Sequence, residues 1–316
     1  MAASIFIDGE AGTTGLQIRD RLAGRTDLEL VSIAPDKRKD IAERQRLLNA
    51  ADIAILCLPD DAARESVALI ENDTTRVIDA SSAHRVADGW AYGFAELEPG
   101  HPERIAAASR VANPGCWPQG AIATLRPLIT ASLVPADLHL NVNGISGYSG
   151  GGRQMIEDYV AQGDAANAFM PYGLTFKHKH LPELKTYAGL ARTPLFQPAV
   201  GNFAQGMLVT VPLFLDQLAP GTTGRMLHAA IADYYSSMPG GAVSVAPFAE
   251  TERDQDLDPQ RYNDTNRMQL HVFSNDSLGQ AVLVAVYDNL GKGASGAAVQ
   301  NLNLMLGVDE TTSLVD

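Results

Sequence analysis

Three observations predict an α/β protein: a Rossmann-like, doubly wound parallel sheet leading an α+β region with a mixed, largely antiparallel sheet. The chain opens with a short apolar run, Ser4 to Asp8, which ends in the glycine-rich turn Gly9-Glu10-Ala11-Gly12-Thr13-Thr14-Gly15 and continues as a helical pattern carrying Leu16, Ile18 and Leu22. Apolar runs and helical patterns then alternate as far as residue 115. Beyond Cys116 the texture becomes the polar–apolar alternation of half-buried strands, as in Asp137 to Asn143.

The composition bounds the partners. The 316 residues are enough for two domains with their own cores. Lys plus Arg number 24 against 37 Asp plus Glu, a net charge of −13. Nucleic acids and anionic membranes need excess positive charge, so neither is an expected partner. A small anionic substrate needs only a local cluster of cations. Two cysteines, Cys57 and Cys116, build no disulfide framework. With no leader pattern and no apolar stretch near the roughly 18–20 residues of a membrane span, a soluble cytoplasmic protein is expected.

Each element follows from local pattern. Strand, glycine turn and helix at the N-terminus form the context that places a dinucleotide pyrophosphate on a helix N-terminus, although the spacing here is G-x-x-G-x-x-G. Gly9, Gly12, Thr13, Thr14 and Gly15 are the candidate contacts. Leu28 to Ile33 reads as the second strand and runs into Ala34-Pro35-Asp36-Lys37-Arg38-Lys39. The cations, Lys37 and Arg38 foremost, suit a 2′-phosphate and favour NADP(H); Asp36 leaves NAD as the alternative, and a solvated helix start is the bland one. Asp52 to Pro59 is a buried parallel strand with Cys57 as inert core. Pro59-Asp60-Asp61 starts a helix, and Arg76 to Ala80 is a fourth strand ending at Ser81-Ser82-Ala83-His84-Arg85. Ligands of open α/β sheets sit beyond the strands' C-terminal ends, which makes Ser81, Ser82 and Arg85 candidate contacts.

The stretch Asn113-Pro114-Gly115-Cys116-Trp117-Pro118-Gln119-Gly120 turns out of an apolar run into a helical pattern. A cysteine at a helix N-terminus has its thiolate, the nucleophilic form, stabilised by unpaired N–H groups and the dipole. A small buried hydrophobe is the competing reading. Further on, Gly144 to Arg153 reads as a glycine-rich loop able to bring N–H groups to an oxyanion. Phe176-Lys177-His178-Lys179-His180-Leu181-Pro182-Glu183 places two histidines two residues apart, on one side if the segment is a strand. No further ligands accompany them, so acid/base work by one imidazole is favoured over a metal. Leu208 to Leu215 is a strand whose Pro212 implies an edge or an end. Arg225 to Tyr235 is a helix. Gln269–Phe273 and Gln280–Tyr287 form an antiparallel pair, and Ala297 to Leu306 is an amphipathic helix. Asp254 to Pro259 superficially matches a calcium loop, but Pro259 and Thr265 stand where Gly and Glu are needed.

Six stretches in order carry a family resemblance: Gly9 to Gly15, Tyr92-Gly93-Phe94-Ala95-Glu96, Asn113 to Cys116, Ser146-Gly147 through Arg153, His178-Lys179-His180, and Asp288-Asn289-Leu290-Gly291-Lys292-Gly293-Ala294. Together they resemble the short-form N-acetyl-γ-glutamyl-phosphate reductases, relatives of aspartate-semialdehyde dehydrogenases. Ala95 departs from the family's usual Pro. The resemblance implies a Cys116 nucleophile and His180 as acid/base, with His178 its rival. It implies an NADP(H)-dependent reduction of an acyl phosphate through a thioester, with phosphate released. Gly293 is an implied cofactor contact; Asn113, Arg85, Gly147, Arg153 and Lys177 are candidate substrate contacts. It further implies that the C-terminal helix returns to the cofactor domain, giving residues 1–115 plus 292–316 as one domain and 116–291 as the catalytic and oligomerisation domain of a homodimer or homotetramer. Two alternatives stand beside this reading. One is a sister enzyme acting on aspartyl phosphate or an N-acylated aminoadipyl phosphate; the other is a non-catalytic dinucleotide-binding redox sensor.

Overall fold

The computed structural model describes residues 2–238, 240–248 and 257–315. Positions 254–256 of the calcium-like stretch lie outside them. The chain forms two compact units, one made of the residues up to Ala95, Gly100–Gly115 and Ala294–Val315, the other of Glu96–Pro99 and Cys116–Gly293.

The first unit is built from β1 (Ala3–Asp8), α1 (Thr13–Leu22), β2 (Leu28–Val31), α2 (Ile41–Ala50), β3 (Ile53–Leu56), α3 (Asp60–Ala68), β4 (Arg76–Asp79), β5 (Ala91–Tyr92), α4 (His101–Ala107) and β6 (Arg110–Ala112). Its six strands lie in the order β2-β1-β3-β4-β6-β5, and every neighbouring pair is parallel. Alternate residues of the apolar runs go to opposite faces. Ile5, Ile7, Ile55, Ile78 and Val111 pack with Ile18 and Leu22 on one side. Phe6, Ala54, Leu56 and Val77 pack with Leu47, Leu48 and Ala63 on the other. Both faces are covered, which is why these strands read as unbroken apolar runs.

The second unit contains α5 (Cys116–Thr130), β7 (Asn141–Gly147), α6 (Gly152–Gln162), β8 (Phe169–Pro171), α7 (Leu181–Ala188), β9 (Leu195–Gly201), β10 (Met207–Phe214), α8 (Gly224–Ser236), β11 (Val243–Val245), β12 (Met268–Asn275) and β13 (Gln280–Tyr287). The strand order is β11-β12-β13-β10-β7-β9-β8. β7/β9 and β11/β12 are parallel and the other neighbours antiparallel, the mixed sheet expected.

Three local expectations change. The strand expected over 137–143 instead spans Asn141–Gly147, so half of the expected glycine loop is strand. The glycine has a packing reason: a Cβ on Gly144 would lie 2.2 Å from the Leu208 carbonyl oxygen. Pro212 lies two residues before the end of a central strand, not on an edge strand; β7 pairs with β10 only as far as Thr210, so beside Pro212 only β13 continues. The two histidines are not on a strand. His178 lies in a turn and His180 is the helical-region residue that precedes α7.

After β13 a π-turn over Gly291–Ser295 leads into α9 (Gly296–Leu306). This helix belongs to the first unit, where it packs against α1 and α4 and puts Ala298, Val299 and Leu302 into the core beside Ile5 and Ile78. Among the described residues no helix is long and apolar enough to cross a membrane.

Candidate active site

Cys116 is the first residue of α5 and is partly exposed, while Asn113, Pro114, Gly115, Trp117 and Pro118 around it are buried. Pro118 is tolerated in the first turn because its missing N–H has no intrahelical acceptor there. The turn before it is pinned from the side chain of Asn113, whose amide donates to the Ala294 carbonyl (3.0 Å) and whose oxygen accepts from Asn301 (3.0 Å). Gly293 lies against this cysteine: a Cβ there would stand 3.1 Å from the Cys116 Cβ. The other thiol differs. Cys57 follows β3 and, as a residue, is partly exposed like Cys116, but desolvation of its thiol, reinforced by Asp79 and Asp8, pushes its pKa up to about 12. A thiol so held is inert at neutral pH.

An aromatic cluster joins Cys116 to the histidine segment. Trp117 donates its indole N–H to the Tyr172 hydroxyl (2.9 Å) and meets Phe196 edge-on at 5.5 Å. Tyr172 lies 5.8 Å from the His178 ring, and His178 lies 4.6 Å from the His180 ring. Burial, and then the neighbouring Cys116, push the Tyr172 pKa up, so its hydroxyl keeps its proton. His178 Nδ1 accepts from the His180 backbone N–H (3.2 Å), and its carbonyl accepts from Leu181 N–H (3.1 Å). A turn thus brings the two imidazoles together, with His180 buried at the start of α7.

In the first unit, the ends of β1, β2 and β3 border a cavity of about 390 Å³ lined by Gly9, Glu10, Ala11, Ile33, Arg38 and Lys39 among others. Gly9 has φ +89°, and a Cβ on it would lie 2.4 Å from the Cys57 carbonyl oxygen. A Cβ on Gly15 would lie 2.6 Å from the Gly9 carbonyl oxygen. Gly12, the residue that caps α1, meets nothing closer than 3.4 Å. Gly9 and Gly15 are therefore required by the turn itself, while Gly12 keeps the space over the helix N-terminus clear, which fits a pyrophosphate. Arg38 and Lys39 line this cavity, with Arg38 at 3.7 Å from Glu10; Lys37 does not line it. Arg44 and Asp8, both buried, pair at 3.0 Å on its floor.

The remaining candidates are placed as follows. Ser81 donates to Asp79 (2.7 Å) and Ser82 to Asp60 (2.7 Å), at the C-terminal end of β4. Arg85 is buried and donates to the carbonyls of Asn113 and Ala80 (3.1 and 3.2 Å). Gly147 ends β7, where a Cβ would meet the Ala204 carbonyl oxygen at 2.6 Å. Arg153 is exposed on α6 and pairs with Glu157 (2.7 Å), and Lys177 is exposed on the histidine turn. Sequence reasoning missed Tyr172, Phe196 and Tyr287. Trp117 lay inside the cysteine stretch, and Tyr287 was read only as the end of a strand.

A parallel sheet with a glycine cradle at its first turn defines a dinucleotide-binding α/β protein. Comparison with known proteins narrows the class. Residues 5–107 match the semialdehyde dehydrogenase NAD-binding domain, and residues 116–289 match the semialdehyde dehydrogenase dimerisation domain. An N-acetyl-gamma-glutamyl-phosphate reductase of Mesorhizobium japonicum is 66% identical over 98% of this chain and 100% of its own length. One from Chelativorans sp. is 67% identical over 97% and 99%, and one from Burkholderia ambifaria 53% identical over 96% of each. In fold, the chain is similar to aspartate semialdehyde dehydrogenase II of Vibrio cholerae complexed with ASA (TM-score 0.70, 15% identity, 97% and 99% covered). It is also similar to aspartate semialdehyde dehydrogenase with NADP from Candida albicans (TM-score 0.66, 14% identity, 99% and 100% covered). The chain belongs to the semialdehyde dehydrogenase family and, within it, to the N-acetyl-gamma-glutamyl-phosphate reductases.

Proposed function

We propose that this chain catalyses the NADPH-dependent reduction of N-acetyl-γ-glutamyl phosphate to N-acetylglutamate 5-semialdehyde with release of phosphate, the arginine-biosynthetic step, through a thioester on Cys116. The observation that carries the reading is the placement of Cys116, partly exposed at the head of α5 among buried neighbours, in a chain 66% identical end to end to a reductase of that name.

The helix N-terminus favours the Cys116 thiolate, which attacks the acyl carbon while the phosphate leaves with the bonding electrons. Bound NADPH supplies the hydride, chemistry no side chain provides. His180, as imidazolium, favours the thiolate at first and then gives its proton to the oxygen that becomes anionic on the reduced carbon. Return of that proton to His180 as the Cys116 sulfur is expelled releases the aldehyde and restores the thiolate beside an imidazolium. Tyr172, kept protonated by burial and held by Trp117, stands in the same aromatic cluster as a neutral donor.

The cofactor is held by residues 1–115 with 292–316. Gly9, Gly12, Thr13, Thr14 and Gly15 take the pyrophosphate at the head of α1, Arg38 and Lys39, which line the cavity, take the 2′-phosphate in place of the expected Lys37, and Ser81, Ser82 and Gly293 complete the cofactor contacts. Residues 116–291 carry the nucleophile, the acid/base and the interface of a homodimer or homotetramer in the cytoplasm. Asn113, Arg85, Gly147, Arg153 and Lys177 serve the substrate's phosphate and carboxylate.

The test is run in reverse: reduction of NADP⁺ by N-acetylglutamate 5-semialdehyde, with and without phosphate, on wild type and Cys116→Ser. Turnover that needs phosphate and vanishes in the variant is the expected result. Turnover that survives in Cys116→Ser would overturn the thioester mechanism.

A further inference from the structure

We propose that Tyr287 is a positioning residue for the nucleophile, its hydroxyl set into the first turn of α5 directly beneath Cys116. The proposal rests on Cys116 being the nucleophile. Tyr287 is the last residue of β13 and is fully buried. Its O–H donates to the Cys116 carbonyl at 2.6 Å, and its oxygen accepts from the Gly120 N–H at 3.1 Å. Residues 116 and 120 are four apart, the spacing at which a helix bonds carbonyl to N–H. The hydroxyl therefore bridges the two ends of the turn that begins at Cys116.

A second observation points the same way. A Cβ on Gly120 would lie 2.8 Å from both the Tyr287 ring carbon Cε1 and its hydroxyl, and 3.1 Å from the Ala285 Cβ. Glycine inside a helix is unfavourable, because it loses more backbone freedom than any other residue. Here it gives the tyrosine the room to reach the turn. The segment after β13 then closes on the same residue from another side, since Gly293 abuts the Cys116 Cβ.

Two consequences follow for the thiol. Helix ends fray, and a nucleophile on the first helical residue is poorly held unless something else fixes it. The hydroxyl ties that residue to a central strand of the sheet. It also covers the negative end of the Cys116 carbonyl dipole, which otherwise lies beside the developing thiolate of the same residue. The second effect lowers the thiol's pKa, so the group acts on reactivity and on more than folding.

The variant Tyr287→Phe removes the hydroxyl and keeps the ring. Its kcat is expected to fall about tenfold, the loss of one hydrogen bond's worth of preorganisation, with KM changed by less than about twofold. The pH midpoint for iodoacetamide alkylation of Cys116, followed by peptide mapping, is expected to rise by about half a unit. Gly120→Ala, which displaces the ring, should move both readouts in the same direction. An unchanged kcat and alkylation profile, with only the melting temperature lowered, overturns the proposal and leaves Tyr287 a core residue. The alkylation profile needs no turnover, so it reads the tie to the thiol even if the reductase assay itself fails, and the two readings fail separately.

Discussion

Lys292 and Glu96 form an ion pair with almost no water around it. The Lys292 Nζ lies 2.6 and 2.8 Å from the two Glu96 oxygens, and the side chains are 1% and 6% exposed. Replacing Lys292 by Met keeps the length of the side chain and removes the charge, leaving the Glu96 carboxylate buried without its counter-ion. Breaking one side of such a pair costs about 3–5 kcal/mol, a large part of the roughly 5–15 kcal/mol by which a domain is stable. With a urea slope of about 2 kcal/mol/M, the unfolding midpoint should fall by roughly 1.5–2.5 M. Replacing both partners, Lys292→Met with Glu96→Gln, removes the stranded charge, so most of the loss should return. Lys292 also precedes Gly293, the residue against Cys116, so the single variant should lose kcat as well. The measurement is urea unfolding of wild type, both single variants and the double. A Lys292→Met cost below about 1 kcal/mol, or a double variant whose cost is the sum of the singles, would refute the argument that burial makes this pair matter.

The two cysteines should separate cleanly by reactivity. With the Cys57 pKa near 12, only about one part in ten thousand is thiolate at pH 8, so brief iodoacetamide treatment should label Cys116 and leave Cys57 unmodified by peptide mapping; comparable labelling of both would contradict the raised pKa of Cys57. His271 is buried in β12, and burial, then Arg261, hold its pKa below the usual value. A group whose folded pKa is depressed contributes stability above its unfolded pKa, about 6.5 for histidine, and loses it as pH falls through the folded value. Unfolding midpoints taken from pH 7.5 down to 5 should therefore drop more steeply in wild type than in His271→Gln, and equal slopes would remove His271 as a contributor.

The family resemblance and the parallel sheet were legible because their signals are local. A strand buried on both faces is an apolar run whatever its neighbours, and Gly9 and Gly15 are demanded by a turn closed within a few residues and by the adjacent strand's carbonyl. Where glycine serves a distant contact, the same signal misleads. Gly144 reads as loop, yet it is strand because Leu208 approaches it across the sheet. Pro212 reads as an edge or a strand end, and it lies near the end of a central strand, past the point where β7 pairs with it. The histidine spacing is compatible with strand or turn, and the bonds from Leu181 and His180 back to His178 make it a turn.

The sequence by itself determined the fold class, the glycine cradle and the cysteine at a helix head, because period, turn chemistry and capping are properties of neighbouring residues. Only the tertiary structure decided what surrounds the cysteine. Trp117 meets Tyr172 across 55 residues and Cys116 meets Tyr287 across 171, and a tyrosine at the end of a strand carries no mark of the carbonyl its hydroxyl will reach. That is settled by how α5 lies on β13, a matter of packing that no local pattern encodes.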